Sequence, residues 1–156
     1  MITYQSIDQV KTVSKPWGQE KWIQAGDSSE HTYVLKEIIL NAGEKTSLQV
    51  HQAKAETNYI LEGTGVLVYS DVFFDCGRYF TGGYTTQELD SIIANLKFQE
   101  YAPGSVMTIP PGTIHRMIAT TTLRFVESST CHLDDVVRLQ DDANRTHGRI
   151  DTEHTN

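Results

Sequence analysis

GEKTSLQVHQAKAETNYILEG, residues 43–63, is the stretch on which the fold turns. Glycines bound it at Gly43 and Gly63, and two apolar runs flank the short polar turn Gln52–Ala55. Residues two apart on a strand share a face. Gln49 and His51 therefore point the same way, with Val50 turned from them. Glu56 opens the antiparallel return strand and faces the same side. A second stretch, GSVMTIPPGTIHRMIAT (residues 104–120), has matching logic. Its Pro110-Pro111-Gly112 turn sets a strand that starts at His115. The two imidazoles, the carboxylate and the amide oxygen of Gln49 form a mixed N/O donor set suited to one divalent transition metal. Only the carboxylate is charged, so a bound dication would keep net positive charge and act as a Lewis acid.

Working outward, the chain shows many short apolar runs separated by turn residues, which reads as all-β. Strands are predicted over Lys21–Ala25, Tyr33–Leu40, Lys45–Val50, Thr57–Leu61, Val66–Tyr69, Phe98–Tyr101, Ser105–Ile109, His115–Thr120 and Leu123–Ser128, where β-branched and aromatic residues concentrate. So many strands in 156 residues point to a closed barrel or jelly roll, because closure removes exposed edges. Residues 71–99 break the rhythm. Thr85 and Glu88 fit a capping box, and Leu89, Ile92, Ile93 and Leu96 fall at helical spacing. The segment reads as a surface excursion whose apolar stripe covers one end of the barrel, or alternatively as a lid over the pocket. Leu133–Leu139 reads as a short helix or an arm, and Thr146–Asp151 as a segment able to dock.

The length suits one domain over residues 1–156, with a barrel core at about 15–133, the insertion at 71–99 and a C-terminal arm at 134–156. A chain this long buries roughly 68–70% of its unfolded surface and needs no disulfide staples. Cys76 and Cys131 read as reduced thiols. A net charge of −7 argues against nucleic acid or an anionic membrane as partner. The N-terminus lacks an apolar signal region and no run is long enough to span a membrane, so a cytoplasmic location is expected.

The two metal-ligand clusters resemble the two motifs of the cupins, with Gln49 where many cupins carry His. The resemblance narrows through Lys15-Pro16-Trp17-Gly18, Leu48-Gln49-Val50-His51, Lys54-Ala55-Glu56, Ile109–Arg116 and Asp134-Asp135-Val136-Val137-Arg138, which are similar to the type II phosphomannose isomerases. It implies a cupin (RmlC-like) jelly-roll barrel with a short helical insertion. It also implies one divalent ion, with zinc first and iron, manganese, cobalt or nickel as alternatives, and a homodimer as the common assembly.

The implied reaction interconverts mannose 6-phosphate and fructose 6-phosphate through a cis-enediol. Lys54 and Glu127 are the candidate catalytic proton carriers. Lys36, Arg116 and Arg138 are the candidates for the sugar phosphate. Strict alternation turns Arg116 from the His115 face, and Trp17 reads as barrel packing rather than a sugar platform. Two other classes compete: a non-catalytic sugar or nucleotide-sugar binding cupin, and a metal-dependent cupin oxygenase. Gln52, Ala53 and Glu37 depart from the isomerase pattern and favour the binding module.

Overall fold

The structure, a computed structural model, describes residues 1–26 and 28–140 together with the backbone of Gly148 and Arg149. Its strands are β1 (Lys11–Lys15), β2 (Gly18–Gln24), β3 (Val34–Leu40), β4 (Leu48–His51), β5 (Glu56–Glu62), β6 (Gly65–Tyr69), β7 (Lys97–Tyr101), β8 (Val106–Ile109), β9 (His115–Ala119), β10 (Leu123–Ser129), β11 (Val136–Gln140) and β12 (Gly148–Arg149). Two helices, α1 (Cys76–Phe80) and α2 (Thr86–Ala94), lie between β6 and β7. The strands form two antiparallel sheets, ordered β1-β2-β3-β10-β5-β8 and β12-β11-β4-β9-β6-β7. Among the described residues, no helix is long and apolar enough to cross a membrane.

Alternation assigns the faces. On β3, Val34, Lys36, Ile38 and Leu40 are buried while the intervening residues are half-exposed. Ile38, Leu40, Ile60, Met107, Met117, Leu123 and Phe125 join Trp17 in one apolar cluster. Trp17 is thus a core residue, as its packing reading expected. The outer face of the second sheet is covered differently. Leu48, Val50 and Val137 turn outward from the inward-facing Gln49, His51 and Val136, and pack with Phe74, Cys76 and Ile114. Tyr79, Tyr84, Leu89, Ile92, Ile93 and Leu96 lie against that cluster.

The insertion therefore lies along the outer face of the second sheet rather than across the barrel mouth, and none of its described residues borders the site cavity. Its capping box forms as expected: the Glu88 N–H donates to Thr85 Oγ1 at 3.1 Å, and the Thr85 N–H donates to Glu88 Oε2 at 2.8 Å. A short first helix, α1, capped by Asp75, precedes α2 within the insertion.

The expected helix or arm at Leu133–Leu139 is instead strand β11, paired antiparallel with β4. Seven residues are too few to separate the two periodicities, and pairing with β4 decides the matter. Val137 faces the outer cluster while Val136 borders the interior cavity. Of the segment Thr146–Asp151, only the backbone of Gly148–Arg149 is described, paired with Val137 and Arg138; the rest of it lies outside the described residues. Strand β1 was not anticipated in the sequence reading.

Candidate metal centre

The two sequence clusters meet through backbone as well as side chains. The Gly112 N–H donates to the His51 carbonyl at 2.8 Å, and Gln49 sits directly opposite His115 on neighbouring strands. Gly112 takes φ +74°, and a Cβ there would lie 2.1 Å from the Phe73 ring, so the turn that delivers His115 needs glycine. Glu56 comes from the other sheet, at the start of β5. Gln49, His51 and His115 thus face Glu56 across the barrel interior.

His51, Glu56 and His115 are all buried, and each offers a donor atom within 4.8 Å of the others. Glu56 Oε1 lies 3.5 Å from His115 Nε2, and Glu56 Oε2 lies 3.8 Å from His51 Nε2. The other nitrogen of each ring is engaged. His115 Nδ1 is 2.9 Å from the Thr113 carbonyl, which can only accept, so Nδ1 carries the proton. His51 Nδ1 is 3.0 Å from Asp135 Oδ1. Burial pushes the Asp135 carboxyl up, but hydrogen bonds from His51, Ala53 and Lys54 hold it below its ordinary range. Asp135 is thus an anion, and His51 Nδ1 donates to it. With Nδ1 of each ring engaged in this way, it is Nε2 that faces the cavity.

Among the described residues, His51 Nε2 and His115 Nε2 are buried without a hydrogen-bond partner. Most buried polar atoms in folded proteins are hydrogen-bonded, so two orphans facing one carboxylate call for an explanation. Two orphaned nitrogens converging on a carboxylate, each with its opposite nitrogen tied back, fit a divalent cation and its outer-shell supports. Burial holds the His115 imidazole down at about 4 against the opposing pull of Glu56, so the ring is neutral and ready to ligate near pH 7.

Gln49 borders the same cavity, and its Oε1 accepts from Ser47 Oγ at 2.7 Å. An amide oxygen has a second lone pair, so this contact leaves room for a fourth, weaker donor.

Lys54 and Glu127 also meet here. Lys54 Nζ sits 2.6 Å from Glu56 Oε2 and 3.0 Å from Glu127 Oε1. Burial alone would lower the Lys54 ammonium, but the Glu127 and Glu56 carboxylates overcome it and hold the group far above its ordinary value. Lys54 therefore stays charged and does not serve as a free base. For Glu56, burial alone would raise the carboxyl; Lys54, then His115 and His51, reverse this and keep it ionised.

The expected phosphate cations separate. Lys36 is fully buried and borders the cavity, with Nζ 2.9 Å from Glu20 Oε2 and 4.7 Å from the Trp22 ring centre. Arg138 is buried on β11, in register with Gln49. Arg116 turns outward, as strand alternation warned. Its Nε donates to the Thr46 carbonyl at 2.7 Å and Nη2 to the Gln140 carbonyl at 3.2 Å, and it does not border the cavity. The resemblance is blind to this, because one residue past a ligand on a strand is on the other face.

The sequence reading missed Glu20 and Asp135. Glu20 lies on the inward face of β2, opposite Ile38, where alternation from Trp22 would have placed it. Asp135 was visible only as one of two adjacent aspartates.

The cavity is about 70 Å³, lined by the metal-site residues, the two ion-paired lysines, Glu20 and Glu127, with Ile38, Met117 and Phe125 as its apolar floor.

Comparison with known proteins agrees with this fold. Residues 3–77 match the family described as mannose-6-phosphate isomerase C-terminal. No curated protein matches the chain. Among solved structures, the polyketide cyclase RemF from Streptomyces resistomycificus is similar at 20% identity and TM-score 0.61, covering 91% of this chain and 88% of that one. The capsular polysaccharide assembling protein CapF from Staphylococcus aureus is similar at 15% identity and TM-score 0.58, covering 89% of this chain and 33% of that one. Oxalate decarboxylase from Bacillus subtilis, described with Mn(II) centres, is similar at 13% identity and TM-score 0.60, covering 85% of this chain and 31% of that one. The chain thus spans about a third of CapF and of oxalate decarboxylase.

Proposed function

We propose that this chain, which shares the fold of its cupin structural neighbours, is a metal-dependent aldose–ketose isomerase acting on a sugar phosphate, with mannose 6-phosphate and fructose 6-phosphate as the pair to test. The observation that carries this reading is the pair of buried imidazoles whose orphaned Nε2 atoms converge on Glu56. His51, Glu56 and His115 would hold the ion, with Gln49 as the fourth donor. When bound, a divalent ion would polarise substrate oxygens and stabilise the negative charge of an enediolate.

The remaining chemistry belongs to the chain. Isomerisation moves one proton between adjacent carbons, so it needs a base and a nearby acid. Glu127 is the cavity carboxylate outside the ligand set that pairs with Lys54, as Glu20 pairs with Lys36, and it takes the carbon-bound proton. Lys54, an ammonium held between Glu127 and Glu56, supplies a proton or a hydrogen bond to the oxygen where charge develops. Lys36 is the cavity cation outside that pair and is available to a phosphate or hydroxyl if Glu20 shares it. The apolar floor limits water around the transferred proton.

One observation favours a second reading. A cavity of about 70 Å³ is small beside the roughly 300–1,000 Å³ common for ligand sites, and both of its lysines are ion-paired. A binding cupin without turnover would be consistent with that. A coupled assay on metal-reconstituted protein, run beside calorimetry, separates the two. Turnover of mannose 6-phosphate supports the isomerase. Binding without turnover across zinc, manganese, iron, cobalt and nickel supports the binding module.

A further inference from the structure

Among the described residues, the carboxylate of Asp135 makes three hydrogen bonds, all to the segment that carries the metal site. Oδ1 accepts from His51 Nδ1 at 3.0 Å. Oδ2 accepts from the Ala53 N–H at 2.7 Å and the Lys54 N–H at 2.9 Å. One side chain thus orients a ligand ring and pins the turn between β4 and β5. That turn positions Lys54, whose Nζ bridges Glu56 and Glu127.

Asp135 is not local to this turn. It stands immediately before β11, more than eighty residues along the chain. Strand β11 pairs with β4 in the register Val136–His51, Val137–Val50 and Arg138–Gln49. Docking of β11 on β4 therefore delivers the carboxylate beside His51. A neutral imidazole can carry its proton on either nitrogen, and a metal needs the one facing it bare. Asp135 removes that ambiguity at His51, as the Thr113 carbonyl does at His115.

We propose that Asp135 is a positioning residue for the metal centre, and that the C-terminal strand acts as a latch whose docking completes it. The proposal rests on the metal reading of His51, Glu56 and His115. Its prediction is that metal affinity depends on a residue that touches no metal.

The test uses the full chain. Zinc affinity is measured by competition with a chromophoric chelator for wild type, Asp135→Ala and the near-isosteric Asp135→Asn. Long-range proton–nitrogen NMR spectra of the metal-free proteins report the His51 tautomer. The expected result is zinc binding weakened by about 10–100-fold in Asp135→Ala, the range typical of outer-shell loss. In the same variant the His51 ring becomes a mixture of tautomers and the Ala53 and Lys54 amides exchange faster. Asp135→Asn, whose side-chain oxygen can still accept, falls between the two. If Asp135→Ala does not fold, Asp135→Asn carries the comparison. Wild-type zinc affinity in a folded variant overturns the proposal, whatever the tautomer. If wild type itself binds no zinc, the metal reading fails, and the tautomer and amide comparison decides the positioning role alone. An unchanged ring and turn would then overturn it.

Discussion

The imidazole rings of His51 and His115 stand 5.5 Å apart and tilt 37° from one another. They come from separate sequence clusters on strands β4 and β9, and the space between their Nε2 atoms is bounded by Glu56. Removing either a ring or the carboxylate leaves two of the three strong donors. His115→Ala and Glu56→Ala should each lose their metal, read by elemental analysis, while circular dichroism still reports a β fold. Full metal occupancy in both would refute the ligand assignment.

Lys54 is the hub of a buried ion triad with Glu56 and Glu127. Breaking a buried pair from one side leaves an uncompensated charge and costs about 3–5 kcal/mol. Lys54→Met in the metal-free protein should lose stability on that scale, measured by urea unfolding, and should abolish isomerisation. A loss within the error of the measurement would mean that the carboxylates find other partners.

The pH dependence of the metal-free protein follows from His115. Its folded value of about 4 lies below the ordinary 6.5. Between those two values the unfolded chain takes up a proton that the folded site refuses. Stability therefore falls as pH drops from about 6.5 to about 4, by an amount on the order of a few kcal/mol. The ionised Glu56 adds in the same direction, its contribution present above the ordinary carboxylate value and lost as pH falls through its lower folded one. Lys54 acts at the other end: its contribution is complete below about 10.5 and is lost only as pH rises through its higher folded value. Urea titrations in steps across pH 4–7 would check this, and a flat profile in that window would contradict a neutral buried His115.

Two of the three candidate phosphate cations, Lys36 and Arg116, should behave oppositely. Lys36 borders the cavity, so Lys36→Met should raise KM for a sugar phosphate. Arg116 anchors the Thr46 and Gln140 carbonyls from the outer face, so Arg116→Ala should lower the melting temperature and leave KM unchanged. A KM effect from Arg116→Ala with intact stability would reverse the assignment.

The insertion gives a control that touches the turn before His115 but does not border the cavity. Phe74 is fully buried and stacks on Tyr84, ring centres 4.8 Å apart. Phe74→Ala should cost about 3–5 kcal/mol by cavity formation. Metal content should not change, because the insertion lies against the outer face of the second sheet. Loss of metal in a folded Phe74→Ala protein would show that the insertion shapes the site.

Much of this was legible in sequence, for physical reasons that also mark where legibility stopped. The His51–Glu56 and Pro110–His115 spacings encode a face and a turn, and alternation on strands is strict enough to carry that information. The capping box at Thr85 and Glu88 is likewise local and formed as read. Strand β11 was not legible, since Val136 and Val137 serve two different faces and only the pairing with β4 assigns them. Asp135 and Glu20 were invisible as site residues because their partners, His51 and Lys36, are distant in sequence. The course of the insertion along an outer sheet face likewise depends on which side of the second sheet carries Val50 and Val137.

The most direct test of the central claim is an anomalous difference map, collected at the zinc edge, from crystals of the protein grown with zinc. The account predicts a single strong peak about 2.0–2.1 Å from both His51 Nε2 and His115 Nε2, and at similar distance from a Glu56 oxygen. A map with no peak among these three side chains, or with zinc bound elsewhere while they remain unligated, would contradict it.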